Sequence, residues 1–207
     1  ADATRNGGVE TKAEGQIFAN FLEAHRGEYQ GVICALPNFG DENGALAALK
    51  HAEVPISIQA YPDDMDKMDP ANRRDAFCGK FSVMDVFTQY DVLFTALKPH
   101  VAHPASTAFA DNIDYFDRLC RVVGGMQGLT VGAIGARTTP FKTVRIDEVA
   151  LQHFGITVET FDLSAVFKMV AELDGNEPDV RARGEALHGQ ATWQDVPERS
   201  QANLAKL

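Results

Sequence analysis

The chain has 207 residues, and its 29 acidic and 19 basic side chains give a formal net charge of −10 at pH 7. This acidic balance disfavours nucleic acid as a partner, because binding to phosphates requires a basic surface. The composition, with 45% hydrophobic and 23% charged residues, is typical of a folded protein rather than a disordered one. No uninterrupted apolar stretch approaches the roughly 18 residues of a membrane-spanning helix, so we expect no membrane association.

Helices and strands alternate along the first part of the chain. Apolar residues at helical spacing predict helices, and short uncharged apolar runs predict buried strands. In chain order, the predicted elements are a helix over 11–29, a strand over 31–36, a helix over 43–52, a strand over 54–60, a helix over 81–90, a strand over 92–97 and a helix over 107–123. Gly124 and Gly125 are expected to end the last of these helices.

The alternation then begins again, with a strand over 129–134, a helix over 143–154, a strand over 156–161 and a helix over 163–173. The remaining residues to Leu207 are polar and are predicted to be helical. Such alternation predicts right-handed βαβ units on parallel sheets. We therefore expect an α/β fold of three layers, α/β/α, in two Rossmann-like portions. Residues 1–126 would form a first α/β domain without its opening strands, and residues 127–207 part of a second.

Both ends of the sequence are abrupt. No strand precedes the first helix, and Leu207 ends a helix where the next strand is due. Because parallel sheets are buried on both faces, a sheet without its next strand is either small or incomplete. We expect the chain to be a piece of a longer protein, the alternative being a processed form of a small complete one.

The three cysteines, Cys34, Cys78 and Cys120, are widely spaced and odd in number. They indicate neither a disulfide framework nor a CxxC metal motif. The chain also opens without the basic and apolar regions of a secretory signal. We therefore expect a cytoplasmic protein.

Three loops follow predicted strands, over 37–42, 61–64 and 135–142, and ligands of open α/β sheets bind beyond the carboxyl ends of strands. The first loop offers the amide of Asn38, the ring of Phe39 and the carboxylates of Asp41 and Glu42. This mixture suits a polyhydroxylated ligand, because amides and carboxylates bond hydroxyls while a ring packs on C–H groups. For the two acids, capping of the next helix is the favoured alternative.

The other two loops carry weaker signals. In the second, Asp63 and Asp64 could coordinate a cation, although a solvated turn is the favoured interpretation. In the third, Arg137 stands with two hydroxyls ahead of a helix, which suits an anion or a cluster of sugar hydroxyls. A structural salt bridge of Arg137 is an equally weighted alternative.

The remaining charged and titratable groups give no catalytic or metal motif. The segment over 73–80 could clamp an anionic ligand, but a surface helix end is the favoured interpretation. His100 and His103 are close in sequence but lack a nearby third ligand, so we predict no metal site in this chain. No dinucleotide fingerprint, phosphate-binding loop or nucleophile elbow is present.

Five segments together carry a family resemblance. They are GGVET at 7–11, LPNFGDE at 36–42, QAYPDD at 59–64, RRDAFCGK at 73–80, and GAIGAR at 132–137 with TVR at 143–145. In this order, the chain resembles the L-fucose isomerase / L-arabinose isomerase family, especially its L-fucose isomerase-like members. The likeness extends from about residue 2 to about residue 167.

The resemblance implies the N-terminal and middle portion of an aldose–ketose isomerase acting on a pentose or 6-deoxyhexose by an ene-diol mechanism. It implies a monosaccharide substrate, a homo-oligomer such as the hexamers of the fucose and arabinose enzymes, and manganese. The Glu, Asp and His ligands of the family lie downstream of the matched segments, so manganese would be bound by residues outside this chain. Asn38 and Phe39, with Arg137 from the second domain, are the expected substrate-binding residues. No catalytic residue can be assigned, and we expect the chain alone to be inactive.

Two other functions remain open from the sequence. Two α/β units around a hinge would also suit a sugar-binding receptor or sensor module without catalysis. A nucleotide-dependent oxidoreductase is disfavoured by the missing glycine fingerprint.

Overall fold

A computed structural model describes residues 3–136, 139–190 and 192–207. Helices and short parallel sheets make up the fold, which confirms the predicted α/β class. The chain divides into two compact units, Ala1–Met126 and Gln127–Leu207. Each unit contains a two-stranded parallel sheet, and no helix in the described ranges has both the length and the apolar character needed to cross a membrane.

Over its described residues, 3–126, the first unit carries two strands and four α-helices. A short 3-10 turn at Arg5–Gly7 is followed by α1 at Lys12–Ala24, β1 at Val32–Leu36, α2 at Glu42–Leu49, β2 at Ile56–Ala60, α3 at Ala76–Gln89 and α4 at Thr107–Met126. Strands β1 and β2 pair in parallel, with Val32 opposite Ile56 and Leu36 opposite Ala60. Thr11 caps the N-terminus of α1, where its Oγ1 accepts a hydrogen bond from the Glu14 N–H at 3.2 Å.

The core of this unit lies on one face of the sheet. Side chains alternate between the two faces of a strand, and the core-facing set of β1 and β2 packs against α1, α2 and α3. The buried core residues are Leu22, Leu36, Ala48, Leu49, Ala52, Ile56, Ile58, Val83 and Phe87. On the other face of β1, Ile33 is 42% exposed and Ala35 is also exposed. That second face is therefore open to a ligand at the carboxyl end of the strands.

The strand predicted over 92–97 is wrong. This segment contributes one isolated bridge to β2, from Thr95 to Ser57, and a second isolated bridge, from Val101 to Ala60, follows it along the chain. The chain advances six positions between its two bridges while β2 advances three, so it cannot follow the ladder in between. Pro99 lies in this excursion and has no N–H to donate.

The predicted end of α4 is also wrong, because the helix continues through Gly124 and Gly125 to Met126. Glycine lowers helix propensity but does not by itself end a helix. The chain leaves the helical path at Gly128, whose φ of 75° is in the left-handed region that favours glycine.

The second unit contains β3 at Thr130–Ile134, α5 at Glu148–His153, β4 at Thr157–Phe161, α6 at Leu163–Glu172, α7 at Pro178–Gln190 and α8 at Glu198–Lys206. The helix predicted over 143–154 is only partly correct, because a 3-10 turn at Lys142–Val144 precedes the shorter α5. Arg145 is extended, and Asp147 caps the N-terminus of α5 by accepting a hydrogen bond from the Ala150 N–H at 2.9 Å.

Candidate substrate-binding cleft

A cleft of about 1180 Å³ lies in the first unit at the carboxyl end of β1. Its floor is the open face of the sheet, and its walls come from loops that are far apart in sequence. The lining residues are 6–10, 33, 35–42, 59, 61, 102, 104 and 109. This position agrees with the general rule that open parallel sheets bind ligands beyond the ends of their strands.

Two of the three residues predicted to bind substrate lie side by side in this cleft. Asn38 is exposed, and its amide makes no hydrogen bond within the described part of the chain. The ring of Phe39 is 53% exposed. Both side chains are thus available to a ligand, and contact with substrate stays a prediction. Arg137, the third, lies outside the described residues.

The backbone of the 37–42 loop is held from behind by α3 and its preceding segment. The Phe39 N–H donates to the Arg74 carbonyl at 2.7 Å, and Arg74 Nη1 donates to the Pro37 carbonyl at 3.5 Å. A Cβ on Gly79 would lie 3.0 Å from the Gly40 nitrogen and 3.1 Å from the Phe39 Cα. Because α3 packs so closely on the Phe39–Gly40 peptide, the loop is fixed while its side chains remain free.

Arg74 is the brace that joins this loop to the loop after β2. Its guanidinium lies 4.6 Å from the centre of the Tyr61 ring and 3.6 Å from Asp64 Oδ2. Asp63 Oδ1 accepts hydrogen bonds from the N–H groups of Arg74 at 2.7 Å and of Asp75 at 3.2 Å. The acids of the 61–64 loop therefore bind groups of the protein itself. The 73–80 segment contains the start of α3, as its structural interpretation expected, but Phe77 and Cys78 are exposed rather than packed inward.

Carboxylates dominate the charge of the cleft. Asp41 caps the N-terminus of α2 by accepting a hydrogen bond from the Asn43 N–H at 2.9 Å, which confirms the predicted capping role. Glu10 and Glu42 also line the cleft, and their carboxylates have no partner among the described residues. No Lys, Arg or His belongs to the described lining. The site is thus suited to a neutral, hydroxyl-rich ligand.

The segment over 6–10 was not predicted as part of the site. It reaches the cleft because α2 carries Gly44 where a Cβ would lie 3.1 Å from both the Thr11 carbonyl oxygen and Val9 Cγ1. The Glu10 N–H also donates to Glu14 Oε2 at 2.8 Å, and this bond lowers the pKa of Glu14. The pair of glycines ahead of the first helix was the sequence signal for such a loop.

Gln59 was likewise missed as a cleft residue, and Tyr61 was expected only as a member of the 61–64 loop, with no role for its side chain. Gln59 Nε2 donates to the Ala102 carbonyl at 3.0 Å, while its Oε1 accepts no hydrogen bond from the described residues. Side chains alternate between the two faces of β2, so Gln59 lies on the face opposite the core residue Ile58. This alternation was the sequence signal that could have placed Gln59 in the cleft.

The described residues do not fit a manganese site. Across residues 3–136, 139–190 and 192–207, no group of three or more His, Cys, Asp or Glu side chains could hold a metal ion. His103 is engaged with Tyr61, and the His100 carbonyl accepts a hydrogen bond from Lys80. No step of catalysis can be derived through a metal held by these side chains.

A family model described as the fucose/sulfoquinovose isomerase N-terminal domain matches residues 1–127. No curated protein matches the chain. The family match covers the unit that contains the cleft, and it confirms the resemblance over the N-terminal portion, where four of the five segments lie. The fifth segment, over 132–137 and 143–145, lies beyond the matched residues. The chain therefore belongs to the family of fucose/sulfoquinovose isomerase N-terminal domains.

Proposed function

We propose that this chain supplies a sugar-facing wall of a metal-dependent aldose–ketose isomerase that acts on a pentose or 6-deoxyhexose through an ene-diol mechanism. The observation that carries the proposal is the pairing of Asn38 and Phe39 in one cleft, with an unpartnered amide beside a half-exposed ring. The backbone between them is fixed by Arg74 and Gly79, so the two side chains are presented at little further cost in entropy.

The chemistry of the lining matches a neutral monosaccharide. The Asn38 amide can both donate to and accept from sugar hydroxyls, and the Gln59 and Glu42 oxygens can accept. The Phe39 ring can pack on the C–H face of the sugar. A pentose or 6-deoxyhexose carries no anionic group, and the described lining offers no cation to pair with one.

We further propose the metal ion, the oligomeric state and the cellular location of the enzyme to which this chain belongs. Manganese is the cation proposed for the reaction, and we place its ligands outside this chain because the described residues provide no suitable group. The family resemblance supports a homo-oligomer, of the hexameric kind formed by the fucose and arabinose enzymes. All three cysteines are free thiols, which supports a cytoplasmic location.

The test is sugar binding by the chain, measured by calorimetry with L-fucose and L-arabinose. Phe39→Ala should weaken binding about tenfold, because the ring loses its packing on the sugar. Phe81→Ala is the matched control, since Phe81 is 59% exposed in the same unit and lies outside the cleft. Equal losses in the two variants, or no loss in either, would contradict the assignment of the wall.

A separate assay tests the catalytic part of the proposal. The chain alone, supplied with manganese and L-fucose, L-arabinose or D-arabinose, should give no isomerisation. Clear turnover would contradict the proposal that the manganese ligands lie outside this chain.

A further inference from the structure

Tyr61 and His103 form a pair at the wall of the cleft. Tyr61 Oη lies 2.5 Å from His103 Nε2, and the two rings meet edge to face with their centres 4.9 Å apart. This contact joins the loop after β2 to the segment that leads into α4. The family interpretation of the sequence assigns neither residue a role.

The backbone around His103 determines which ring nitrogen carries the proton. The Ala105 backbone nitrogen lies 3.1 Å from His103 Nδ1, and a backbone N–H can only donate. Nδ1 must therefore accept, and the neutral ring carries its proton on Nε2. The His103 carbonyl in turn accepts from the Ser106 hydroxyl at 2.7 Å, which holds the segment at the start of α4.

The tautomer of His103 determines how the Tyr61 hydroxyl can form hydrogen bonds. Because His103 Nε2–H donates to Oη, the phenol uses this contact as an acceptor and keeps its own proton. No acceptor for that proton exists among the described residues. The guanidinium of Arg74 lies against the ring at 4.6 Å and restrains its orientation. Tyr61 lines the cleft, so the proton is available to a ligand there.

We propose that Tyr61 is a ligand-binding residue whose hydroxyl donates a hydrogen bond to an oxygen of the bound monosaccharide, and that His103 is the positioning residue that orients this donor. The inference rests on the proposed function, because it needs a sugar in the cleft. Tyr61 would thereby add to the cleft a hydrogen-bond donor whose direction is set by His103 rather than by solvent.

The first test is the tautomer of His103, read by nitrogen NMR of the labelled chain. The proposal requires the neutral ring to be protonated at Nε2. A ring protonated at Nδ1 would overturn it, because Tyr61 would then have to donate to His103 and would have no proton left for a ligand.

The second test is calorimetric titration with L-fucose and L-arabinose. Tyr61→Phe should weaken binding about tenfold, the effect expected for the loss of one hydrogen bond to the ligand. Tyr115→Phe is the control, since Tyr115 lies on α4 outside the cleft lining. His103→Leu should weaken binding to a similar extent, whereas His103→Gln, whose amide can donate to Oη, should restore most of the affinity.

The outcomes separate this inference from the proposed function. Unchanged affinity in Tyr61→Phe, with circular dichroism like that of the wild type, would overturn the role of Tyr61 and leave the sugar-binding wall intact. No saturable binding of either sugar to the wild-type chain would overturn the proposed function and this inference with it.

Discussion

Substitution of Gly15 by alanine tests the packing that brings α1 and α2 together beside the cleft. A Cβ at this position would lie 2.3 Å from the Gly44 carbonyl oxygen and 2.9 Å from Ala47 Cβ. Relieving the first contact requires the helices to separate by about 1 Å, and a gap of that size forfeits roughly a quarter to a half of each dispersion contact across it.

The expected loss of stability follows from two opposing terms. Overpacking of this kind costs about 1–3 kcal/mol, and a clash with backbone belongs at the upper end of that range. Alanine in place of glycine gains about 1 kcal/mol of helix propensity. We therefore expect Gly15→Ala to lower the free energy of unfolding of the first unit by about 2 kcal/mol.

The matched control is Gly124→Ala in α4. A Cβ on Gly124 would meet nothing within 4 Å, so the same chemical change should raise stability by up to about 1 kcal/mol. Urea unfolding followed by circular dichroism gives both values. Trp193 is the only tryptophan and lies in the second unit, so tryptophan fluorescence would not report on the first unit. Amide hydrogen exchange at Ile58, in the core of the first unit, should show that this unit is the one destabilised. A Gly15→Ala protein as stable as the wild type would refute the packing argument.

Two further predictions concern buried titratable groups. Lys80 is 1% exposed and donates to the His100 carbonyl at 3.0 Å, and burial lowers the pKa of its ammonium. The unfolded chain therefore binds this proton more tightly than the folded chain. As pH rises from the folded-state pKa toward 10.5, the wild type should gain stability relative to Lys80→Met. A difference in urea unfolding between the two proteins that does not change with pH would contradict this. Burial also raises the pKa of the Cys34 thiol to about 11 and that of Cys120, whereas Cys78 is exposed. Maleimide labelling followed by mass spectrometry should modify Cys78 first and Cys34 much more slowly, because Cys34 is only partly exposed and its thiol has a raised pKa. Labelling of Cys34 as fast as that of Cys78 in the native protein would contradict this.

The position of the 37–42 loop could be predicted from the sequence because the signal was local. An apolar run that ends at Leu36 indicates a buried strand, and a parallel sheet places the following loop at its ligand-binding edge. The capping role of Asp41 was equally local, since it depends on a hydrogen bond to a residue two positions along the chain.

The rest of the cleft depends on contacts between distant positions, which periodicity does not reveal. Tyr61 meets His103 and the Ala102 carbonyl meets Gln59 only after the segment following β2 has folded back. Arg74 illustrates the same limit: its charge suggested an anion clamp, but its contacts with Tyr61 make it a brace. The incorrect prediction of a strand over 92–97 has the same cause. An apolar run indicates that a segment is buried, but it does not indicate that the segment stays in register with a neighbouring strand.

The most direct test of the sugar-facing wall is an amide chemical-shift titration of the full chain with L-fucose. We expect saturable shifts at Asn38, Phe39 and Tyr61, with the residues of α7 and α8 unaffected. Saturable shifts confined to the second unit, or none anywhere, would contradict it.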